Sequence, residues 1–327
     1  MNRPSKKRIC SEGWEALRWD PLPWLLDSDR PNLHWRTLVE LVGRPPASRA
    51  VLLSRAGANA AKPVASLLAD LHEDGGWETS AQLWDAYAGP GWRLVAAVQF
   101  GADPSDPRIT AAAERLLATA PGEGGFAKRA GGPPVAWLTA RALSALAELG
   151  WCSHVRFQEG LAWLAEAAPV SSQGGWAGED SRTAAGECGV TAVGVLTALT
   201  ACELGSRSAL RERAIVALQR VAASATGPSR RLGHPCLGRT DAAEMLWALA
   251  RAGAPLRPAM VPTLKAVQRR QDADARWSLS IRVPASLPVA ETLPVGGPSG
   301  WLTLKAVVAL MHYAVDAGLE RLFPEKP

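Results

Sequence analysis

A short turn ending in an aromatic residue returns along this 327-residue chain at a nearly constant interval, and that interval restricts the fold more than any other feature. The copies are Asp74-Gly75-Gly76-Trp77, Glu123-Gly124-Gly125-Phe126 and Gln173-Gly174-Gly175-Trp176, with a further version running from Gln271 to Trp277. From Trp77 to Phe126 is 49 residues, from Phe126 to Trp176 is 50, and from Trp176 to Trp277 is 101, or two periods with one copy worn away around Gly227-Pro228. A period of this length marks stacked supersecondary units rather than one irregular core.

Each unit holds two helices of different character. Before a turn the helix is amphipathic: Ile109, Ala112, Ala113, Leu116, Leu117 and Ala120 share one face, with Thr110, Glu114 and Arg115 off it. Val64, Leu67, Leu68 and Leu71 repeat the pattern, as do Leu210, Ala214, Ala217, Leu218 and Val221. After a turn the helix is apolar nearly all round, as from Trp137 to Leu149, and must be enclosed by others. Its counterparts begin near Trp35, Trp92, Cys188, Thr240 and Trp301 and end near Gly43, Gly101, Gly205, Gly253 and Gly318, glycines suited to left-handed C-caps. An inner ring of six apolar helices wrapped by five amphipathic ones satisfies both patterns, which predicts an all-α, closed α/α toroid. The expected boundaries are an N-terminal strap over 1–30, one toroid domain over 31–320 with a loop insertion at 280–298, and a tail over 321–327.

Composition narrows the function classes. Fourteen Trp against two Tyr and four Phe fall mostly at matching places in the repeats, so packing accounts for them. The net charge of +5 comes from dispersed arginines and one cluster, Lys6-Lys7-Arg8, which argues against nucleic acid as a partner. The longest uncharged helical stretch, Cys188 to Cys202, is too short to span a bilayer, and the first residues do not read as a signal peptide. Five cysteines without a spacing pattern fit a reducing cytoplasm better than a disulfide framework.

Gln271-Asp272-Ala273-Asp274-Ala275-Arg276-Trp277 resembles the Q-x-x-x-G-x-W motif of squalene and oxidosqualene cyclases, and the Gly-Gly turns resemble shortened copies shared with protein prenyltransferase β-subunits. Over roughly residues 31 to 318 the chain is similar to bacterial prenyltransferase/squalene oxidase repeat proteins, a resemblance that implies the same α/α toroid. The catalytic motifs of those families are missing. No D-x-D-D general acid is present; Asp272-Ala273-Asp274-Ala275 is the nearest string and reads as a solvated turn. The prenyltransferase Asp-x-Cys zinc pair is also absent, since Gly186 stands two before Cys188 and Ala243 two after Asp241. Trp151-Cys152-Ser153-His154 only partly echoes the zinc ligands of lanthionine cyclases.

The candidate site residues follow from the ring. Repeats place equivalent positions on a circle, so Thr37, Thr139 and Thr303, Arg141 and Lys305, and Arg36, Arg93, Arg182 and Arg239 are expected to form a basic collar at the first turns of the inner helices, over an apolar bore. Within it Arg141, Lys305, Arg182, Arg239, Thr139 and Thr303 are the candidate ligand-binding residues. The alternative is that the threonines serve backbone groups and the arginines pair with Glu78, Asp85, Asp180, Glu187 and Glu244. For catalysis the candidate carboxylates are Asp241, Glu244 and Glu187. No cofactor is expected, although Cys188, His234, Cys236 and Asp241 keep zinc open. Two functions stand side by side: a cyclase- or prenyltransferase-like toroid holding or acting on an isoprenoid or other amphipathic ligand, and a non-catalytic module that binds a ligand or a protein partner.

Overall fold

The computed structural model describes residues 17, 19–27, 29–79, 82–120, 124–129, 131–177, 188–204, 208–225, 231–289, 292–314 and 316–317. Its helices are α1 (Leu22–Leu25), α2 (Pro31–Glu40), α3 (Arg49–Ala56), α4 (Val64–Leu67), α5 (Pro90–Gln99), α6 (Pro107–Ala118), α7 (Ala136–Glu148), α8 (Val155–Glu166), α9 (Gly189–Ala201), α10 (Ser208–Ala223), α11 (Ala242–Arg251), α12 (Val261–Gln268) and α13 (Gly300–Tyr313). The described residues form isolated β-bridges and no strand, so the fold is all-α.

The apolar helices close into a ring. Each of α5, α7, α9, α11 and α13 packs on the next, and α13 packs on α2. The remaining gap is bridged by Trp35 Nε1, which donates to the Gly101 carbonyl at 2.8 Å, and by Asn32 Nδ2, which donates to the Phe100 carbonyl at 3.2 Å. The helices α7 and α9 approach closest, because a Cβ on Gly194 would stand 2.6 Å from the Ala140 backbone. Outside this ring, α3 packs on α2, α4 and α6 on α5, α8 on α7, α10 on α9 and α11, and α12 on α11 and α13. Helix α6 shows why these stay outside: Ile109, Ala112, Ala113, Leu116 and Leu117 are buried, while Thr110, Glu114 and Arg115 face solvent. Asp106 caps its start by accepting from the Arg108 amide, and Pro107 occupies the first turn, where no amide is needed.

The first outer layer departs from the expected pattern. The amphipathic run from Val64 yields only the four residues of α4, and the preceding turn of helix, α3, carries exposed Leu52 and Leu53. Pro63 separates α4 from the helical turns before it, since it has no amide to give to a continuous helical ladder.

The recurring turns are polar clamps as well as reversals. Trp77 Nε1 donates to the Leu67 carbonyl at 2.9 Å, Trp176 Nε1 to Leu164 at 2.9 Å, and Trp277 Nε1 to Val267 at 2.7 Å. Each indole thus donates to a carbonyl at the end of the preceding outer helix, where the helical ladder runs out. Phe126 has no donor, and there the Thr119 hydroxyl takes the Leu116 carbonyl at 2.7 Å. The clamp continues into the inner ring: Thr139 Oγ1 accepts from the Phe126 amide at 2.7 Å, and Thr303 Oγ1 from the Trp277 amide at 3.0 Å.

One turn position, two before the aromatic, requires a left-handed backbone. Gly75 takes φ +77° and Gly174 φ +85°, and where glycine is missing Ala275 is held at φ +65°. Asp272 supports that turn by accepting from the amides of Asp274 and Arg276, both at 2.9 Å, so the paired aspartates are turn formers.

The cysteine reading is corrected by the structure. Cys152 and Cys202 form a disulfide between chain positions 50 residues apart, one repeat, just beyond the C-terminal ends of α7 and α9. The spacing pattern was therefore present, at the period of the fold.

Three variants test these turns and this bond. Ala275→Gly is expected to raise stability by about 0.5–1 kcal/mol, because glycine carries no penalty in the left-handed region. Gly75→Ala is expected to lower it by more than about 2 kcal/mol, since its Cβ would meet the Ala112 amide nitrogen at 2.2 Å. Urea unfolding of the two variants checks both signs. Replacing Cys152 and Cys202 together with Ala is expected to lower stability by about 2–4 kcal/mol, as for loss of a bond closing a long loop; an unchanged unfolding midpoint contradicts the pairing.

Candidate functional site

At the centre of the ring lies a cavity of about 50 Å³ whose wall draws on all six inner helices, with Arg36 and Glu40 from α2, Gln99 from α5, Arg141 and Glu148 from α7, Thr197 from α9, Glu244 and Trp247 from α11, and Trp301 and Lys305 from α13. The apolar bore expected from helix composition is thus charged inside. Inner-helix sequences are so apolar that α2, α7, α11 and α13 each contribute only one or two ionic groups to the wall and α5 and α9 none, and closure of the ring gathers them in one place.

The charges form two knots at different depths. In the deeper one, Arg141 Nη1 donates to Glu244 Oε1 at 3.0 Å and Nη2 to Glu244 Oε2 at 3.3 Å, a two-pronged pair. Two further donors reach the carbonyls of Leu237 and Arg239 at 3.0 and 3.1 Å, so four of the five guanidinium N–H groups are engaged. Lys305 Nζ lies 3.5 Å from Glu244 Oε1 and sits 5.0 Å over the ring of Trp247. The second knot lies toward the C-terminal ends of the inner helices. Arg36 Nη1 donates to Glu148 Oε2 at 2.6 Å and to Glu40 Oε1 at 3.2 Å, Arg251 Nη1 donates to Glu148 Oε1 at 2.9 Å, and Trp247 Nε1 to Glu40 Oε2 at 2.8 Å. Side-chain exposure rises from 2% at Glu244 to 12% at Glu148 and 20% at Arg251, so the wall meets solvent at the C-terminal ends. The sequence reading had expected the mouth at the opposite ends, among the first turns.

Burial alone would push these carboxyls up, but the neighbouring cations outweigh it. Glu148 is held at about 2, with burial opposed by Arg36 and Arg251. Glu244 is likewise at about 2, with burial opposed by Arg141 and Lys305. Both are ionised across the physiological range. Burial lowers and Glu244 raises the Arg141 pKa, and the net direction is upward.

Behind the deeper knot stand the other candidates. Asp241 caps α11, accepting from the Glu244 amide at 3.0 Å and the Gly233 amide at 2.8 Å. Burial raises its pKa, the backbone bonds oppose this, and the nearby Glu244 charge adds to it. His234 stacks on Trp301 with centroids 5.5 Å apart and meets Phe100 edge-on at 4.7 Å. Burial, then Lys305, puts its pKa well below the ordinary value, so the ring is neutral. Burial, then the carboxylates Glu244 and Asp241, pushes the Cys236 thiol well up, which makes it a poor nucleophile. Cys236 Sγ approaches Asp241 Oδ2 at 3.8 Å. No group of three or more His, Cys, Asp or Glu among the described residues is placed to hold a metal ion, so Cys188, His234, Cys236 and Asp241 do not converge as a zinc site.

Of the candidate ligand-binding residues, Arg141 and Lys305 reach the cavity wall. Thr139 and Thr303 are fully buried and engaged with turn amides, and Arg239 supplies its carbonyl to Arg141. Arg182 and Glu187 lie outside the described residues. The sequence reading missed Glu40, Glu148 and Arg251. Their signal was a charged residue two or three positions before the closing glycines Gly43, Gly150 and Gly253, which the repeat alignment places on one ring.

No protein-family model matches the chain, and no curated protein matches it. Among solved structures it is similar to the apo form of the type II terpene cyclase MstE from Scytonema, with 16% identity, 97% of this chain and 91% of that chain covered, and a TM-score of 0.40. A likeness at that level assigns no residue and no activity. No helix among the described residues is long and apolar enough to cross a membrane.

The ionic knots carry a pH prediction. The folded pKa values of Glu148 and Glu244, about 2, lie below the ordinary glutamate value of 4.5, so their contribution is fully present above the unfolded value and is lost as pH falls from about 5 toward 2. Glu148→Gln is expected to cost about 3–5 kcal/mol at pH 7, because Arg36 and Arg251 lose their shared carboxylate, and to flatten the loss between pH 5 and 2. Guanidinium unfolding at stepped pH reads both; equal acid slopes in parent and variant contradict the assignment.

Proposed function

We propose that this toroid is a ligand-holding module that grips a small molecule by an anionic group in its central cavity, without carrying out cyclase or prenyltransferase chemistry. The observation that supports this reading most is the wall itself, where cations from α2, α7 and α13 converge on a space enclosed by six helices. An isoprenoid diphosphate, the ligand implied by the sequence resemblance, is served less well. The cavity measures about 50 Å³, whereas pockets for organic ligands run to roughly 300–1,000 Å³. The carboxyl of Asp241 is used as a helix cap and is not part of the cavity wall, which leaves a proton donor for alkene chemistry without access to a substrate. The disulfide supports a compartment that keeps thiols oxidised rather than the cytoplasm.

Native mass spectrometry of the purified protein, followed by thermal-shift titration with small carboxylates, phosphate and geranyl diphosphate, tests the proposal. A small anion is expected to raise the melting temperature of the parent and to lose that effect in Lys305→Met. Stabilisation by geranyl diphosphate alone, abolished by the same substitution, overturns it in favour of the isoprenoid reading.

A further inference from the structure

The geometry points to a small monocarboxylate as the group held in the cavity, with Lys305 Nζ and Thr197 Oγ1 as its hydrogen-bond donors. This rests on the ligand-holding reading above and deepens it. Both donors line the wall and have capacity that the protein leaves unspent. Lys305 is 7% exposed and carries three N–H donors, yet its only ionic partner among the described residues is Glu244, at 3.5 Å, beyond ordinary hydrogen-bond length. The Thr197 hydroxyl is buried and has no hydrogen-bond partner, not even the helical carbonyl one turn back that Thr200 takes at 2.7 Å. A buried hydroxyl left unpaired keeps its desolvation penalty uncompensated, so an occupant that accepts from it is favoured. Arg141, in contrast, spends four of its five donors on Glu244 and two backbone carbonyls.

Position and charge specify the occupant. Thr197 on α9 and Lys305 on α13 stand on either side of α11, which presents Trp247 between them, and both line the cavity. Two donors on opposite flanks suit an acceptor with two oxygens. Arg36, Arg141, Arg251 and Lys305 face the three carboxylates of Glu40, Glu148 and Glu244, which leaves one positive charge in excess on the wall and its pairs. Asp241 does not line the cavity, and its oxygens are occupied by the amides of Gly233 and Glu244. A single negative charge restores balance, whereas a diphosphate brings several that the enclosure does not compensate. The volume of about 50 Å³ holds roughly three or four waters or one small carboxylate.

The test is calorimetric titration of the full chain with acetate and propionate, at constant ionic strength with chloride as the control anion. Parent protein is expected to bind acetate or propionate in competition with chloride and at least tenfold more tightly than chloride. Lys305→Met is expected to weaken that binding at least tenfold and Thr197→Val about three- to tenfold. Thr197→Val removes only the unpaired hydroxyl, so its melting temperature without ligand should not fall, which keeps the test informative if Lys305→Met proves unstable. Chloride binding as tightly as acetate, or Thr197→Val binding acetate like the parent, overturns the carboxylate assignment. Binding of phosphate or geranyl diphosphate but not acetate, still sensitive to Lys305, overturns the assignment while leaving the ligand-holding reading intact; absence of binding by every anion tried overturns both.

Discussion

The hydrogen bond from a turn tryptophan to the last carbonyls of the helix before it is the interaction on which the architecture rests. A helix end leaves carbonyls without partners, and placing that end against an apolar ring removes the water that could serve them. The indoles of Trp77, Trp176 and Trp277 answer this with one N–H each while their rings fill the space between layers; Trp176 and Trp277 are completely buried. The same turn hands its amide to a threonine of the following inner helix at Phe126 and Trp277. One motif therefore fixes where an outer helix stops, where an inner helix starts and how they face each other. Repetition at a constant period then turns the chain through a closed ring.

Closure creates the electrostatic problem at the centre. Six helices whose sides are almost wholly apolar bring seven ionic groups into or beside one small cavity. Isolated burial of any of them would cost several kcal/mol. The solution is sharing: Glu148 serves Arg36 and Arg251, and Glu244 serves Arg141 and Lys305. Arg141 also takes the Leu237 and Arg239 carbonyls, which ties the loop before α11 to the deeper knot. The knots therefore hold together helices far apart in sequence.

Much of this arrangement was legible before any coordinates. The periods of 49 and 50 residues, the one-sided face of α6 and the all-round apolar character of α7 follow from local chemistry, and the structure keeps them. The alternative in which threonines serve helix-terminal backbone groups and arginines pair with acidic residues, Glu244 among them, was also open; in the structure Thr139 and Thr303 serve turn amides and Arg141 takes Glu244. Less legible were the broken first outer layer, where the amphipathic run from Val64 to Leu71 gives only the four-residue α4, and the disulfide, whose 50-residue spacing was disguised by cysteines elsewhere in the chain. Glu40, Glu148 and Arg251 escaped notice because a charged residue in the last turn of a helix ordinarily reaches solvent.

By itself, then, the sequence determined that the chain is helical, that its helices come in two kinds and that their turns recur, because helix periodicity, glycine torsions and indole donors act within a few residues of each other. Only the tertiary structure decided which way the bore opens, that its wall is charged, and which donors are left unpaired. Those depend on distances between side chains more than 100 residues apart, such as Arg36 to Glu148 and Arg141 to Glu244. Such distances are set by the closing of the ring, and no local pattern encodes them.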